Sequence, residues 1–327
     1  MNRYVHFVRL IESLKRNSWA KYTDVYVALD YPPTEKYREG YEQICEYLLE
    51  DFEEFKSITI IKREENYGSL RNLRELRDMI LEKYDRFIRT DDDAEFSPNF
   101  LEYMNKCLNK YENDPNIIAV TGYSYPIKWK VSEGATVFKE NFSCPMWGTG
   151  FWRDKYIQIT NYIENGGLKD SVEYVIKNRI YNNMLDRCKY EYINLCLGNE
   201  FSGSLANKVS DVSFRMYSVV YNKYIIVPNE SKVRNWGFDG SGCICKSIDS
   251  SKKGDLSSTY LYNEQAIDKK ESFVLLEDTN VCVEENRILL NLFDRISIKD
   301  KIKTTIKILL YKFIGRKNYE KLLKVLI

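Results

Sequence analysis

A single histidine, His6, in 327 residues, and no Cys-x-x-Cys pair among the eight cysteines, exclude a zinc site of ordinary Cys/His spacing. Net charge is also nearly absent. Forty-nine Lys plus Arg face 48 Asp plus Glu, a formal +1, so a general nucleic-acid binder is not expected. No apolar run reaches the roughly 18–20 residues that a spanning helix needs. No signal peptide is read at the start, so the expectation is reduced cysteines in a cytoplasmic protein. Cys243-Ile244-Cys245 is read as two ordinary thiols in preference to a redox pair. The charge is unevenly placed. From Arg295 to Ile327 ten basic residues meet only Asp300 and Glu320, a local +8 that leaves −7 on residues 1–294. An anionic surface is the expected partner of that end alone.

With 44% hydrophobic and 30% charged residues, the chain can bury a core. Apolar residues at 4, 5, 7, 8, 11 and 14 have helical spacing. Asp24 to Asp30 reads as a buried strand closed by Tyr31-Pro32-Pro33, Tyr37 to Phe55 as a helix, and Ser57 to Lys62 as a second strand. After the turn Asn66-Tyr67-Gly68 come a helix from Leu70 to Tyr84 and a third strand, Arg86 to Arg89. Ser97-Pro98 opens the next helix with Ser as its N-cap, and Ile117 to Thr121 is a fourth strand. This alternation predicts an α/β fold with a mainly parallel sheet. Residues 126–160 are rich in aromatics and glycine, 168–222 look helical, and Tyr224 to Val227 is a short strand before the Gly-rich Asn235 to Gly242.

Chemistry concentrates at Thr90-Asp91-Asp92-Asp93, where the third strand leaves the sheet. Open α/β sheets bind ligands beyond the carboxyl ends of their strands. Asp91 and Asp93, two apart on extended chain, point the same way and can share a hard cation, Mg²⁺ or Mn²⁺, which in turn holds a diphosphate. A solvated acidic loop competes with this reading.

The segment Asp91-Asp-Asp-Ala-Glu-Phe-Ser-Pro-Asn-Phe-Leu-Glu-Tyr-Met-Asn105 resembles the metal-binding stretch of GT-A glycosyltransferases, bacterial family 2-type enzymes and the N-acetylglucosaminyltransferase I group above all. Asn66-Tyr-Gly68, Tyr111 to Pro126, and Trp147-Gly-Thr-Gly-Phe-Trp-Arg153 are similar to further pieces of these enzymes. Val227 to Gly242 resembles a signature of bacterial surface-polysaccharide glycosyltransferases. The resemblance runs in order over about residues 2–245. It implies a GT-A α/β fold: residues 1–125 the nucleotide-sugar half, 126–245 the acceptor half, 246–294 a linker or excursion, and 295–327 a basic helical tail. It also implies transfer of a sugar from a nucleotide donor, such as a UDP-sugar, to a saccharide or lipid-linked acceptor in cell-surface polysaccharide synthesis, inverting and metal-dependent. Asp91 and Asp92 would contact the donor's ribose or diphosphate. Asp93, with Asp91, would hold the divalent metal. Asp30, Asn66 and Gly68 would shape the donor pocket, with a plain turn as their alternative. Trp147, Gly148, Trp152 and Trp236 would form the acceptor side, against an ordinary core role for each Trp. Asp211, at a helix start, would be the general base, against an N-cap role, with Glu173 and Asp170 as weaker rivals. Arg234 and Lys232 could meet phosphate, a solvated face being the default for Lys232.

Two departures stand against this pattern. Ile244 occupies a position where relatives often carry His. The buried first strand of the GT-A sheet is missing, which would leave a gap between 24–30 and 86–90, either because the start lies upstream or because this copy is specialised. A sugar nucleotidyltransferase, or a non-catalytic carbohydrate-binding protein, is the alternative function. The nucleotidyltransferase would need a Gly-rich phosphate-gripping loop after its first strand; none is read here, although the missing start is where it would lie. At the far end, Ile302, Ile306, Leu309, Leu310 and Phe313 fall on one helical face among Lys299, Lys301, Lys303, Lys307, Lys312, Arg316 and Lys317. An amphipathic helix of this kind suits the inner face of an anionic membrane, with peripheral attachment as the expected location. The competing arrangement docks the stripe on the body.

Overall fold

The computed structural model describes residues 3–198, 209–241, 265–293 and 295–325. It is a mixed α/β structure. Helix α1 (Tyr4–Lys15) turns Phe7, Leu10 and Ile11 into the core. Strands β1 (Asp24–Leu29) and β2 (Ser57–Lys62) run parallel, Asp24 opposite Ser57 through Leu29 opposite Lys62, with α2 (Arg38–Tyr47) between them in sequence. Then follow α3 (Gly68–Lys83), β3 (Arg86–Arg89), β4 (Ala94–Phe96), α4 (Phe100–Tyr111) and the fully buried β5 (Ile117–Thr121). Ser97 does not cap α4. Its hydroxyl donates to Asn99 Oδ1, and Asn99 is the residue at the helix start.

The expectation of a mainly parallel sheet is corrected. Strands β6 (Val137–Glu140), β7 (Thr149–Trp152) and β8 (Tyr224–Pro228) complete a five-stranded sheet of order β3-β7-β5-β8-β6. Only β5 and β8 are parallel in it; β7 lies antiparallel between β3 and β5, and β6 antiparallel to β8. A parallel neighbour needs a crossover element. Residues 122–148 contain no helix to serve as one, so the chain turns back. A short antiparallel ladder joins β4 to β9 (Val233–Asn235).

The β1–β2 pair and the five-stranded sheet are separate, at the place where a gap was expected. Among the described residues β1 pairs only with β2, and β3 only with β7. One side chain meets part of the deficit: Asn72 Nδ2 of α3 donates to the Ala28 carbonyl at 3.0 Å. The hydroxyls of Tyr26 and Tyr84, 3.2 Å apart, tie β1 to the end of α3. Although α3 carries apolar residues at helical spacing, none of its sixteen residues is fully buried, and Leu70 is 49% exposed.

The rest packs in two apolar clusters. One gathers α1, α2 and α4. The other gathers α5 (Arg153–Glu164), α6 (Gly167–Asp170), α7 (Val172–Lys177), α8 (Asp186–Leu197) and α9 (Asp211–Tyr221) on the other part of the large sheet. Residues 265–293, the described part of the stretch 246–294 expected as a linker or excursion, are docked. Thr136 N donates to Leu276 O at 2.8 Å, the Phe273 ring meets Tyr103 edge-on at 5.0 Å, and α10 (Val283–Phe293) buries Leu290 and Phe293. The last element is α11 (Ile298–Val325), bent at Gly315. No helix among the described residues is long and apolar enough to cross a membrane.

At the end of β6, Glu140 is completely buried. Its carboxylate accepts from the Phe142 and Ser143 N–H groups at 2.7 and 2.9 Å and from Ser143 Oγ at 2.5 Å. Burial pushes Glu140 up to about 7, although these donors and the charge of Arg215 oppose it. The folded state therefore holds this proton more tightly than the unfolded chain, whose carboxyl titrates near 4.5. The stability it contributes is full below pH 4.5 and lost as pH rises to about 7. Thermal melts of wild type and Glu140→Gln over this range should show the wild type losing midpoint temperature relative to the variant. Parallel curves would refute the assignment.

Candidate functional site

The acid triplet leaves β3 and enters β4, and its charge is met from the opposite end of the fold. Arg3, immediately before α1, donates Nη1 to Asp93 Oδ2 at 2.9 Å and Nε to Asp92 Oδ2 at 3.2 Å, and Nη2 bonds Asp92 Oδ1. Burial works against the charge of Arg3, but Asp92 and Asp93 outweigh it and hold the guanidinium above its ordinary value. Burial raises Asp93 against the pull of Arg3, and it raises Asp91 against that of Arg89, whose Nη2 lies 3.7 Å from Asp91 Oδ1. Three carboxylates thus share two guanidiniums.

The residues fit a divalent cation in one way only. Among the described residues no group of three or more His, Cys, Asp or Glu side chains is arranged to hold a metal. Asp93 Oδ1, however, is buried and has no hydrogen-bond partner among the described residues, a hard oxygen left open beside an excess of negative charge. A cation there has Asp93 as its protein ligand and needs oxygens from the bound molecule to complete its shell. Arg3 already occupies Asp92, and Arg89 neighbours Asp91.

The turn predicted beside the donor is assembled. Asp30, 2% exposed, accepts from the N–H groups of Tyr31 and Tyr67 at 3.0 and 2.7 Å and from Asn66 Nδ2 at 3.3 Å. Asn66 Nδ2 also reaches Tyr31 O at 2.6 Å, and Gly68, with φ at 70°, opens α3. Asp30 therefore anchors the turn, and its oxygens are spent on it. Asp211 is the first residue of α9. Ser210 caps that helix through a reciprocal bond pair with Ser213, so the N-cap alternative for Asp211 falls. Asp211 is exposed and makes no hydrogen bond or ion pair among the described residues, and its charge reaches Asp91. Asp170 and Glu173 are exposed on α6 and α7 and bond to no residue of this site.

The aromatic side divides. Trp147 is half-buried, its ring 4.7 Å from that of Tyr123 and 5.9 Å from that of Phe238. Gly148 is packed so closely that a Cβ would stand 2.7 Å from Val233 Cγ2. Trp152 is corrected to a core residue. It is 2% exposed, its Nε1 donates to Leu108 O at 3.1 Å, and it has no face for an acceptor. Trp236 is also occupied. The guanidinium carbons of Arg9 and Arg234 stand 4.1 and 3.7 Å from its ring centroid. Both guanidiniums are thus within cation–π range of the indole. Its Nε1 donates to Glu95 Oε2 at 2.7 Å. A cleft of about 500 Å³ opens beside it, lined by Ser13, Arg16, Glu95, Arg234 and Lys269 and not by the acid triplet. Lys232 is on no solvated face: it is buried in an ion pair with Asp268. Residues 243–245 lie outside the described residues.

Sequence reading missed four contributors. Arg3, Arg89 and His6 are single residues without a motif. Arg89 alone left a signal, being two before Asp91 on extended chain and so on its face. Its Nε and Nη1 are buried without a hydrogen-bond partner among the described residues. His6 Nε2 lies 3.1 Å from Asp239 Oδ2 and 3.3 Å from Trp236 O, tying α1 to the Gly-rich segment. The fourth is Gly237. Trp236 N donates to Asp93 O at 2.8 Å, which brings Gly237 so close that a Cβ would lie 2.1 Å from Asp93 Oδ2.

A scan against protein-family models finds no match to this chain, and a search of curated proteins finds none either.

Gly237→Ala should push the Asp93 carboxylate off Arg3 and destabilise the fold by about 1–3 kcal/mol, the usual cost of overpacking. Denaturant unfolding of the variant checks this. A midpoint equal to that of wild type would mean that the contact relaxes without cost.

Proposed function

We propose that this chain is a glycosyltransferase that moves a sugar from a nucleotide-diphosphate donor to a hydroxyl of a saccharide or lipid-linked acceptor, with inversion. The observation that carries the reading is the acid triplet at the open end of β3, neutralised in part by Arg3 and Arg89, with Asp211 electrostatically coupled to it from another element. Two carboxylate groups with different surroundings suit different tasks. Asp93 is buried and would hold a cation; Asp211 is exposed and unbonded, placed to take a proton.

The acceptor hydroxyl attacks the anomeric carbon as its proton passes to Asp211. The new C–O bond forms on one face, the bond to the diphosphate breaks on the other, and its electron pair leaves with the diphosphate. A divalent cation on Asp93 Oδ1 would supply positive charge to that leaving group. The Asp30–Asn66 turn fixes the wall at the end of β1, and Arg3 keeps the triplet compact while no anion is bound.

The engagement of Asp92 and Asp93 by Arg3 favours a second reading, a carbohydrate-binding protein without turnover. Calorimetry with UDP-sugars, with and without Mn²⁺, together with an assay of donor hydrolysis and transfer, separates the two. Asp93→Ala should abolish metal-dependent donor binding with the fold intact by circular dichroism; donor affinity equal to that of wild type overturns the cation assignment. Asp211→Asn should lower turnover by about 10²–10⁴ while donor affinity stays near wild type. An unchanged rate removes Asp211 from the mechanism.

A further inference from the structure

The structure assigns the outer face of α11 as a docking surface for an anionic lipid bilayer, an inference independent of the reaction proposed above. The helix has two apolar stripes, and only one is used inside the protein. Thr304, Ile308 and Tyr311 are 4%, 4% and 5% exposed and pack on the body. Lys301 reaches Asp186 Oδ2 at 2.6 Å, Lys307 reaches Asn194 Oδ1 at 2.5 Å, and Lys312 reaches the Tyr181 hydroxyl at 2.7 Å. The stripe singled out by the sequence faces away. Ile298, Ile302, Ile306, Leu309, Leu310 and Phe313 are 40–91% exposed, Phe313 most of all. At 3.6 residues per turn these six lie on one side, opposite Thr304 and Tyr311. From Ile298 to Phe313 the stripe runs about 22 Å.

Exposed apolar area of this kind needs a cover, and the charge along its borders selects one. On the same turns, Lys299 and Lys303 flank one edge and Lys301 and Lys312 the other. Lys299 and Lys303 are exposed and meet no carboxylate among the described residues. The segment carries +8 overall against −7 on the rest of the chain. An apolar stripe bordered by cations lies with its side chains below the headgroups and its ammonium groups among lipid phosphates. A second copy of the helix would bring the lysine borders together and repel. The bend at Gly315 ends the straight part of the stripe just past Phe313.

The test uses the full chain with vesicles of phosphatidylcholine alone or mixed with phosphatidylglycerol. The wild type should sediment with the anionic vesicles at low salt, be released at about 0.5 M salt, and ignore the neutral ones. A Leu309→Asp, Phe313→Asp double variant and a Lys299→Glu, Lys303→Glu double variant should each partition about tenfold less. All four positions are exposed, so helical content by circular dichroism should be unchanged. The proposal is overturned by absence of binding to anionic vesicles at low salt, by equal binding of the variants, or by a dimer in sedimentation equilibrium that the Asp variant dissociates.

Discussion

Three consecutive carboxylates at the end of a strand, the last of them buried, need a cation beside them, and the rest of this site depends on how that need is met. Arg3 meets it from the start of the first helix, ninety residues away in sequence from Asp93. The pair is largely shielded from water, so it holds more firmly than a surface ion pair, and Arg3 keeps Asp92 as a second partner. The contact therefore fixes where α1 lies against β3 and β4. From there the order propagates: α1 places His6 against Asp239 and Arg9 on Trp236, and Trp236 donates its N–H to the backbone of Asp93. The Gly-rich segment is held against the triplet through a closed circuit of contacts, with Gly237 at the tightest point.

The interruption between β1 and β3 gives the molecule two unequal parts. The β1–β2 pair carries the Asp30–Asn66 turn, whereas the five-stranded sheet carries the triplet. The helix α3 touches β1 through Asn72, yet it buries none of its residues completely. Such a region has few of the contacts that resist local opening. The Asp30–Asn66 turn is thus carried by a two-stranded pair that α3 covers without burying a residue completely. The acid triplet and Asp211 rest on the sheet and helices whose side chains fill the two apolar clusters.

Much of the fold was legible in the residues. The strands at 57–62, 86–89 and 117–121 fall where apolar β-branched runs end in turn residues. The helical stripe at 302–313 was recognisable from its period, and so was the Asn66–Gly68 turn. Sheet direction was not legible. The placement of β7 between β3 and β5 depends on which edges are free when the chain folds back, and no local propensity records that. Nor did the aromatic residues disclose their surroundings. Trp147, Trp152 and Trp236 look alike beside glycines, yet one is half-buried among rings, one is core and one lies against two guanidiniums.

The sequence by itself determined where the acids, the basic tail and most elements lie, because these follow from residue type and short-range period. Only the tertiary structure decided which cations answer those acids, which face of α11 is spent on the body and which is left outside, and that Asp30 and Trp152 are engaged in holding the fold. The reason is one of range. Hydrogen bonds and ion pairs between residues such as Arg3 and Asp93, or Lys232 and Asp268, act over a few ångströms in space but across tens of positions in the chain. Neither partner carries a mark of the other until packing has brought them together.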